Sequence, residues 1–469
     1  MILPAQLAGV LLPLAPAFTA PTFDRFALLT LSALLTTGRR TVANLLRTLR
    51  CLAPGHRTSY QRVLSSARWS GLQLACGLCR LVLRLLPADR PVVLVGDDTV
   101  DGHRGKRVWG KARHRDPVRS THSYTAWRYG HRWVVLAVLV HFPFAKRPWA
   151  LPVLADLYRS EGDNRRRGRP HRTPAQLLCR LVALLLRWLP GRRFVLVGDS
   201  GYGTHEVARF CHARRGRLTL VSKLHPEANL FEPPPPYAGK GRPRLKGAAL
   251  PKPRQAAAGA RLRRAVVRWY GGGTRLVSLA GGTGHWYKSG RGLVPLRWVF
   301  VRDREGTHRD EYFYTTDPSL SPEAVVGLYA WRWNIETTFQ EARAHLGLET
   351  TRGWCRRTVL RAAPCLFGLY SVVALLFVAL PQWERQGAVH WPGKAKSSFS
   401  MMRYLKPISG HQIMGRPCGS LSSRIRNTFW RGPRPAIRST TCSRVTVDMI
   451  VRPVLKPLEP VMNFPRTRA

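Results

Sequence analysis

The strongest constraint on the fold is a pair of short apolar runs that each end in Gly-Asp. Val92–Val95 leads into Gly96-Asp97-Asp98-Thr99, and Phe194–Val197 leads into Gly198-Asp199-Ser200-Gly201-Tyr202-Gly203. Such β-branched runs are typical of strands buried in an α/β sheet. A carboxylate at the carboxyl end of a central strand points into a ligand-binding crevice. Either aspartate alone is better interpreted as a turn residue or a helix cap, so it is the pair that suggests a site.

The sequence around these two runs predicts a mixed order of strands and helices. Apolar patterns of strand and helix period mark the elements, and Pro174 suits a first helical position. The further predicted elements are strands at 120–129, 133–142 and 218–222 and helices at 173–189 and from about 203 to 212. Together with the two runs that end in Gly-Asp, they form the order β-β-β-α-β-α-β. Additional strands are predicted at 266–279, 296–301 and 311–315.

The chain has 469 residues, enough for two or three domains, and its character changes along its length. Helical apolar spacing predicts an N-terminal helical domain, which is either DNA-binding or a plain scaffold. The tail is rich in Ser, Arg and Pro, and it is either disordered or translated from a shifted reading frame. The predicted parts are the helical domain at 1–90, the first part of an α/β core at 91–223, a β-strand insertion with a Pro/Arg-rich loop at 224–318, the final part of the core at 319–404, and the tail at 405–469.

The charge balance points to a polyanionic partner. The chain contains 76 Lys and Arg against 25 Asp and Glu, a formal net charge of +51. Arg dominates this set, and its planar guanidinium binds phosphate through two parallel hydrogen bonds. Self-repulsion of this size is relieved by nucleic acid. A high-GC genome also enriches Arg, and we favour nucleic acid over that explanation.

A predicted helix that begins at Ser321-Pro322-Glu323 carries an edge of mixed charge. At about 100° per residue, roughly 60° of arc contains Tyr329, Arg332, Glu336 and Arg343. An apolar stripe adjoins this edge, as expected for a helix packed on a core. The edge could hold a metal ion next to phosphates, and an incidental solvated charge pattern is the alternative.

Glu336 adds a third carboxylate to the two strand-end aspartates. Such a set can hold two divalent ions about 4 Å apart. Because Mg²⁺ prefers oxygen ligands, the carboxylates suit it better than the scattered histidines do.

Basic residues cluster directly after the first Gly-Asp run. Eight basic or imidazole side chains follow within a short segment: His103, Arg104, Lys106, Arg107, Lys111, Arg113, His114 and Arg115. Beside a phosphate-handling site, this segment would track a nucleic-acid backbone. The alternative is a solvated basic loop, and we favour DNA contact, with Lys106 and Lys111 as candidate DNA-binding residues.

Taken together, these motifs resemble the DDE transposases, whose catalytic core is ribonuclease-H-like. The order β-β-β-α-β-α-β, followed by an insertion and a helix with Glu, is similar to that core. Tyr329, Arg332 and Glu336 match the signature Y-x2-R-x3-E-x6-K of cut-and-paste transposases from bacterial insertion sequences. Arg343 stands where the signature has Lys. The resemblance covers about residues 90–380 and implies an α/β fold: a ribonuclease-H-like mixed sheet interrupted by a β-rich insertion, with an N-terminal helical domain.

The resemblance also implies roles for individual residues. Asp98, Asp199 and Glu336 are expected to hold two Mg²⁺ or Mn²⁺ ions. Asp97 competes with Asp98, and Asp98 is preferred because Thr99 follows it directly, as in the family.

Other roles concern DNA. Tyr329 and Arg332 are expected to contact phosphates near the cleaved end, and Arg343 takes the position of the signature Lys. Trp298, before an apolar strand of the insertion, is the nearest match to the tryptophan that stacks on a flipped base in hairpin-forming relatives. A core position for Trp298 is equally compatible with the sequence.

The predicted function is a DNA transposase that cleaves the ends of an insertion sequence and transfers strands into target DNA. Its partners would be the terminal inverted repeats and target DNA, bound by a homodimer, with no membrane. Nine cysteines without a tight framework favour a reduced, cytoplasmic setting. For a bacterial DNA transposase, we expect association with the nucleoid. The apolar run at 366–380 is short for a membrane span and predicts a core helix. The alternatives are a catalytically inactive DNA-binding protein and a ribonuclease-H-like nuclease without strand transfer.

Overall fold

The computed structural model describes residues 3–380, except 117, 118, 238 and 240. Within this part of the chain, a sheet of eleven strands is flanked by helices. The strands are β1 (Val92–Gly102), β2 (Ala112–Arg115), β3 (Trp127–Val140), β4 (Trp149–Tyr158), β5 (Phe194–Gly198), β6 (Leu218–Lys223), β7 (Leu230–Phe231), β8 (Arg263–Arg268), β9 (Thr274–Lys288), β10 (Gly292–Asp303) and β11 (Glu311–Thr315). The predicted tail at 405–469 and the end of the segment at 319–404 lie outside the described residues.

Twelve α-helices accompany the sheet in the described residues. They are α1 (Leu3–Leu11), α2 (Ala20–Leu35), α3 (Val42–Leu49), α4 (Arg57–Ser65), α5 (Gly71–Leu83), α6 (Glu161–Arg166), α7 (Pro174–Trp188), α8 (His205–His212), α9 (Pro253–Ala258), α10 (Pro322–Trp331), α11 (Asn334–Ala344) and α12 (Arg356–Ala379). The predicted helix at 173–189 corresponds to α7, where Thr173 and Gln176 form a capping box around the first turn.

The centre of the sheet has the expected mixed order. From the edge inward the strands run β4, β3, β1, β5 and β6; β1 is antiparallel to β3 and parallel to β5, and β5 is parallel to β6. Strands β11, β10 and β9 then continue the sheet in antiparallel pairs. The predicted α/β fold class is therefore confirmed, with the β-rich insertion joined to the same sheet as the core.

Two predicted strands of the core were placed incorrectly. Only the last residues of the strand predicted at 120–129 lie in β3, which also contains most of the strand predicted at 133–142; the third antiparallel strand is β4. Pro152 lies within β4, although a proline is usually found outside strands or on their edges. The proline is tolerated because β4 pairs on one side only and the ladder shifts register opposite it, between Leu136 and Ala137.

The N-terminal helices pack against α12 and the β4 edge of the sheet. The Arg361 guanidinium on α12 donates hydrogen bonds to the main-chain carbonyls of Val63 and Ala67, at 3.1 and 2.8 Å. By length and composition α12 could span a membrane, but 72% of its apolar window is buried inside the protein. The helix therefore serves as a core element, as predicted. It is longer than expected, and Pro364 lies inside it rather than at its start.

Alternate residues of the insertion and core strands enter two hydrophobic cores, one on each face of the sheet. Val299 and Val301 of β10 pack with Tyr329 on the face covered by α10. Trp298 and Phe300 belong to the other core, on the face covered by α7 and α8. Which face a strand residue occupies therefore decides whether it can reach the Tyr329–Arg343 region.

Candidate active site

Parallel pairing of β1 and β5 brings two aspartates together at one end of the sheet. Gly96 lies opposite Gly198 in the ladder, so Asp97 and Asp199 follow at equivalent positions. Equivalent positions of paired strands face the same side of a sheet. A Cβ on Gly96 would meet Leu178 of α7 at 2.5 Å, so the glycine permits close packing just before the acidic residue.

Asp199 begins the tight turn between β5 and α8. One carboxylate oxygen, Oδ1, accepts hydrogen bonds from the main-chain N–H groups of Gly201 and Tyr202, at 2.9 and 3.2 Å. The Ser222 hydroxyl on β6 donates to the Asp199 main-chain carbonyl at 2.8 Å. These contacts orient the carboxylate, whereas Oδ2 receives no hydrogen bond from the described residues.

The third carboxylate reaches the same place from a helix that is broken in two. Instead of one continuous helix, α10 ends at Trp331 and α11 begins at Asn334. Arg332, at the break, donates to Asp97 Oδ2 and to Glu336 Oε1, each at 2.9 Å. The buried guanidinium thus bridges a strand-end carboxylate and a helical carboxylate, and Arg332 and Glu336 remain neighbours despite the break.

The electrostatics of this cluster favour a bound cation. The pKa of Asp97 is raised to about 7, mainly because the carboxyl is buried; the Arg332 charge opposes this rise, and the charges of Asp199 and Asp98 contribute to it. The Asp199 charge therefore acts on Asp97, as expected for neighbours across parallel strands. Adding positive charge here lowers the free energy of the ionised carboxylates.

Asp98, the preferred first carboxylate, lies on the opposite face of the sheet. The Arg132 guanidinium donates to both of its oxygens, at 2.7 and 2.8 Å, and the Tyr202 hydroxyl donates to Oδ2 at 3.0 Å. Successive strand residues point to opposite faces, so Asp98 cannot share the face of Asp97, Arg332 and Glu336. This geometry disagrees with the choice of Asp98 and places Asp97 with the other two carboxylates.

Tyr329 and Arg343 are both engaged within the protein. The Tyr329 ring is buried, with its centroid 4.4 Å from that of Phe313. Arg343 donates to Glu349 Oε1 at 2.8 Å and to the Thr99 hydroxyl, so it fastens α11 to β1. Both residues lie near the carboxylate cluster. Tyr329 packs in the core, and Arg343 links α11 to β1.

Trp298 is a core residue rather than an exposed aromatic platform. Its side chain is 6% exposed and packs over Gly282 of β9, where an added Cβ would meet the indole at 3.0 Å. The prediction that it stacks on a base is therefore inconsistent with its position. A different tryptophan is available at the cluster: Trp333, at the helix break, is 48% exposed and lies 5.1 Å from the Arg332 guanidinium.

The basic segment after β1 divides into outward and inward side chains. Arg104, Lys106 and Arg107 are exposed on the loop between β1 and β2. Lys111 donates to the Gly105 carbonyl at 2.6 Å and so closes this loop on itself. His103 and His114 instead turn inward, where His114 is 6% exposed. Only part of the predicted basic surface can therefore meet a DNA backbone.

The sequence itself contains a pattern that favours Asp97 over Asp98. The residues Val-Leu-Val-Gly-Asp end at Asp97 in the first run and at Asp199 in the second, so alignment of the two runs pairs these two aspartates. Trp333 had no comparable signal, because its exposure follows from the helix break.

The family comparison agrees with this architecture. A family model described as DDE superfamily endonuclease matches residues 13–299, more than half of the chain. The chain belongs to this family, and the matched region includes Asp97 and Asp199 but ends before Glu336. The predicted resemblance to DDE enzymes is therefore confirmed.

Other comparisons add little. No curated protein matches the chain. Among solved structures, the piggyBac transposase in a synaptic complex with hairpin DNA is similar at 14% identity and a TM-score of 0.37, over 90% of this chain and 77% of that chain. A likeness at that score carries no argument for function.

Proposed function

We propose that the chain is a DNA transposase in which Asp97, Asp199 and Glu336 form the catalytic carboxylate set. The observation that carries this proposal is the bridge that Arg332 makes between Asp97 and Glu336, with Asp199 at the equivalent position of the neighbouring strand. Asp97 replaces Asp98 in the set because Asp98 is committed to Arg132 on the other face.

The cluster fits divalent cations of the Mg²⁺ or Mn²⁺ type. Its donors are carboxylate oxygens, which these hard ions prefer, and a cationic group already bridges two of them. When bound, a pair of such ions would activate the attacking oxygen and stabilise the leaving oxygen at phosphorus. Asp97, Asp199 and Glu336 would hold them, and ion entry would require Arg332 to release part of its contact with the carboxylates.

The released guanidinium suits a phosphate of the bound DNA. Arg332 lies beside the carboxylates, and its planar group can donate two hydrogen bonds to one phosphate. Its exchange between carboxylates and phosphate would couple DNA binding to metal binding. Arg343 would keep α11 anchored on β1 through Thr99 during this exchange.

The exposed cations of the β1–β2 loop support a path along which bound DNA would extend from the carboxylate cluster. Arg104, Lys106 and Arg107 project from the loop that follows the strand of Asp97. On β2, the exposed Arg113 guanidinium stacks over the Trp127 ring at 4.0 Å, which presents a flat cationic surface. Trp333 would supply a base-stacking face next to the carboxylates.

Several finer parts of the function belong to the same proposal. The enzyme would cleave the ends of a bacterial insertion sequence, join the 3′-hydroxyl to target DNA, and act as a homodimer in the cytoplasm without a membrane partner. A nuclease without strand transfer is the second candidate, because the family model describes an endonuclease.

The test uses a supercoiled plasmid that carries the gene with its flanking DNA. Wild type is expected to cut at the element's ends in the presence of Mg²⁺ or Mn²⁺, whereas Glu336→Gln binds the same DNA without cutting. Glu323→Gln, at the start of α10, is a matched control that should cut normally. Equal cutting by wild type and Glu336→Gln would contradict the assignment.

Products from the same reaction separate the two candidate functions. A transposase should insert the excised segment into a second, circular plasmid, which sequencing of the junctions detects. Cutting without any junctions would favour the nuclease.

A further inference from the structure

A second cluster of ligand-type side chains lies further along β1. Asp101 and His131 face each other as ladder partners of β1 and β3, and both are 1% exposed. His103 follows Asp101 by two residues, and its Nε2 is 3.1 Å from Asp101 Oδ2. One nitrogen from each imidazole and one carboxylate oxygen all lie within 4.8 Å of one another.

The hydrogen bond of His131 determines which of its nitrogens is available. Nε2 lies 2.8 Å from the Trp109 main-chain carbonyl, which can only accept, so Nε2 carries the proton. The lone pair of the neutral ring is then on Nδ1. A histidine that donates its other N–H to a carbonyl has the arrangement found around metal-ligating histidines.

Two atoms of the cluster are buried without a partner. Among the described residues, neither His131 Nδ1 nor Asp101 Oδ1 has a hydrogen-bond partner. A buried carboxylate oxygen and a buried ring nitrogen without partners are costly, and each can accept but not donate. A bound cation is the kind of partner that such acceptor-only atoms can take.

We propose that Asp101, His103 and His131 bind one Zn²⁺ ion that fastens the β1–β2 loop to β3. Imidazole and carboxylate groups are zinc ligands, and ligands of a tetrahedral ion with bonds of 2.0–2.1 Å lie about 3.3 Å apart. The separation of His103 Nε2 and Asp101 Oδ2 is close to this value. Binding replaces the proton that His103 shares with Asp101 and leaves the fourth position for water.

This site is distinct from the catalytic carboxylates. Asp97 and Asp101 are four residues apart on one strand, which corresponds to about 13 Å. The catalytic set offers only oxygen donors, whereas this set offers two imidazoles, which favour zinc over magnesium. The two sites can therefore be loaded and tested separately.

The ion would hold the loop that carries the exposed cations. His103 begins this loop. Near the end of the loop, the main-chain carbonyl of Trp109 accepts the hydrogen bond from His131. Its N–H donates to the Trp354 carbonyl at 2.9 Å, which ties the loop to the segment before α12. Zinc at His103 would fix the opposite end, so that Arg104, Lys106 and Arg107 are presented at a constant distance from Asp97.

The first experiment uses the full-length wild-type chain. Metal is removed with a chelator, and Zn²⁺ or Co²⁺ is titrated back in the presence of excess Mg²⁺. One ion per chain is expected, with visible Co²⁺ bands of a four- or five-coordinate site and imidazole scattering in the zinc X-ray absorption spectrum. Absence of stoichiometric uptake by the wild type overturns the proposal, and this result requires no variant.

Variants then assign the ligands. His103→Ala removes the ligand nearest the surface, with a side chain 9% exposed, and should weaken Zn²⁺ binding by at least about 100-fold. His122→Ala, an exposed histidine outside the cluster, should bind as wild type. The double variant Asp97→Asn/Glu336→Gln should also retain zinc, which separates this ion from catalytic ions. Equal zinc affinity of His103→Ala and wild type, or loss of zinc from the double variant, overturns the assignment.

A structural readout accompanies the binding data. Zinc should slow trypsin cleavage after Arg104, Lys106 and Arg107 in the wild type and not in His103→Ala. Identical cleavage of the loop with and without bound zinc contradicts the proposed fastening.

Discussion

The two faces of the central sheet carry different kinds of polar residue, although they are built from adjacent positions of the same strands. On the α10/α11 face, Asp97 and Glu336 share one guanidinium, and Asp199 lies close by. On the α7/α8 face, Arg132 forms an ion pair with Asp98, and the Tyr202 hydroxyl donates a hydrogen bond to it. The first arrangement leaves carboxylate charge available for a cation, whereas the second uses it to join two strands.

The same alternation separates the two tryptophans considered for base stacking. Trp298 of β10 packs into the core on the α7/α8 face, whereas Trp333 lies at the helix break beside the carboxylates. A one-residue change in register moves a strand residue to the other face. Function in this part of the molecule therefore depends on which face of the sheet a strand residue occupies, and substitutions on the two faces should have different effects.

The largest expected effect is on DNA cleavage. Asp97→Asn should lower the cleavage rate by at least about 10³-fold, since changes in groups that only support metal ligands already cost 10–100-fold. Asp98→Asn should stay within about tenfold of wild type, because its partner is Arg132 on the other face. Plasmid cleavage at saturating Mg²⁺ measures both rates. A larger loss in Asp98→Asn than in Asp97→Asn would reverse the assignment of the two faces.

Substitution of the two tryptophans should affect stability unequally. Trp298→Ala leaves a cavity in a packed core and should cost about 3–5 kcal/mol in the free energy of unfolding. Trp333→Ala should change this quantity by no more than about 0.5 kcal/mol, as for exposed positions, while weakening DNA binding. Denaturant titration and DNA-binding assays on both variants check this contrast. Loss of DNA binding by a fully folded Trp298→Ala would restore the base-stacking role of Trp298.

Protonation of Asp97 predicts a pH dependence of stability in metal-free protein. Its pKa is raised from 3.8 to about 7 on folding, so the native state binds the proton more tightly than the unfolded state. The resulting stability is present below about pH 4 and is lost as the pH rises to 7, with a size on the order of 4 kcal/mol. Between pH 5 and 8, wild type should therefore lose more unfolding free energy than Asp97→Asn. Parallel pH profiles of the two proteins would disprove the raised pKa.

A smaller effect is expected from the ion pair on the α7/α8 face. Asp98→Asn weakens two charged hydrogen bonds to Arg132, whose side chain is 35% exposed. Solvent screening limits the expected cost to about 1–2 kcal/mol in the free energy of unfolding. Thermal unfolding of Asp98→Asn and Arg132→Met should show similar losses, and the double variant should lose less than their sum. Additive losses would mean that the pair does not couple β1 to β3.

Much of the fold could be predicted from local sequence. The runs before Asp97 and Asp199 are continuously apolar, as parallel strands buried on both faces must be. The capping residue Thr173 and Pro174 indicated the start of α7. Strand β4 was missed because Pro152 breaks the pattern, and only its unpaired edge and the register shift in β3 make the proline compatible with a strand.

The sequence predicted the types of residue in the candidate site but not every individual residue. Arg332 contacts Glu336, and the Asp199 charge acts on the neighbouring Asp97, whereas Asp98 and Trp298 lie on the opposite face. Both disagreements arise in strands buried on two sides, where apolar residues stand at odd and even positions alike. Without alternation between polar and apolar residues, only the alignment of the two Val-Leu-Val-Gly-Asp runs indicates which aspartate shares a face with Asp199. The cluster of Asp101, His103 and His131 could not be predicted from the sequence for a related reason. His131 lies beside Asp101 only because β3 pairs with β1.

Local sequence thus determined most of the elements, the strongly basic character and the types of functional side chain, because these depend on composition and on the periodicity of apolar residues. Tertiary structure decided which of two adjacent aspartates meets Glu336, where the Tyr329–Arg343 helix breaks, and which tryptophan is exposed. These features depend on strand register and on contacts between residues more than 100 positions apart, such as Arg332 with Asp97. Pairing of β1 with β5 provides that information, since it places Gly96 opposite Gly198 and turns the following aspartates to one face.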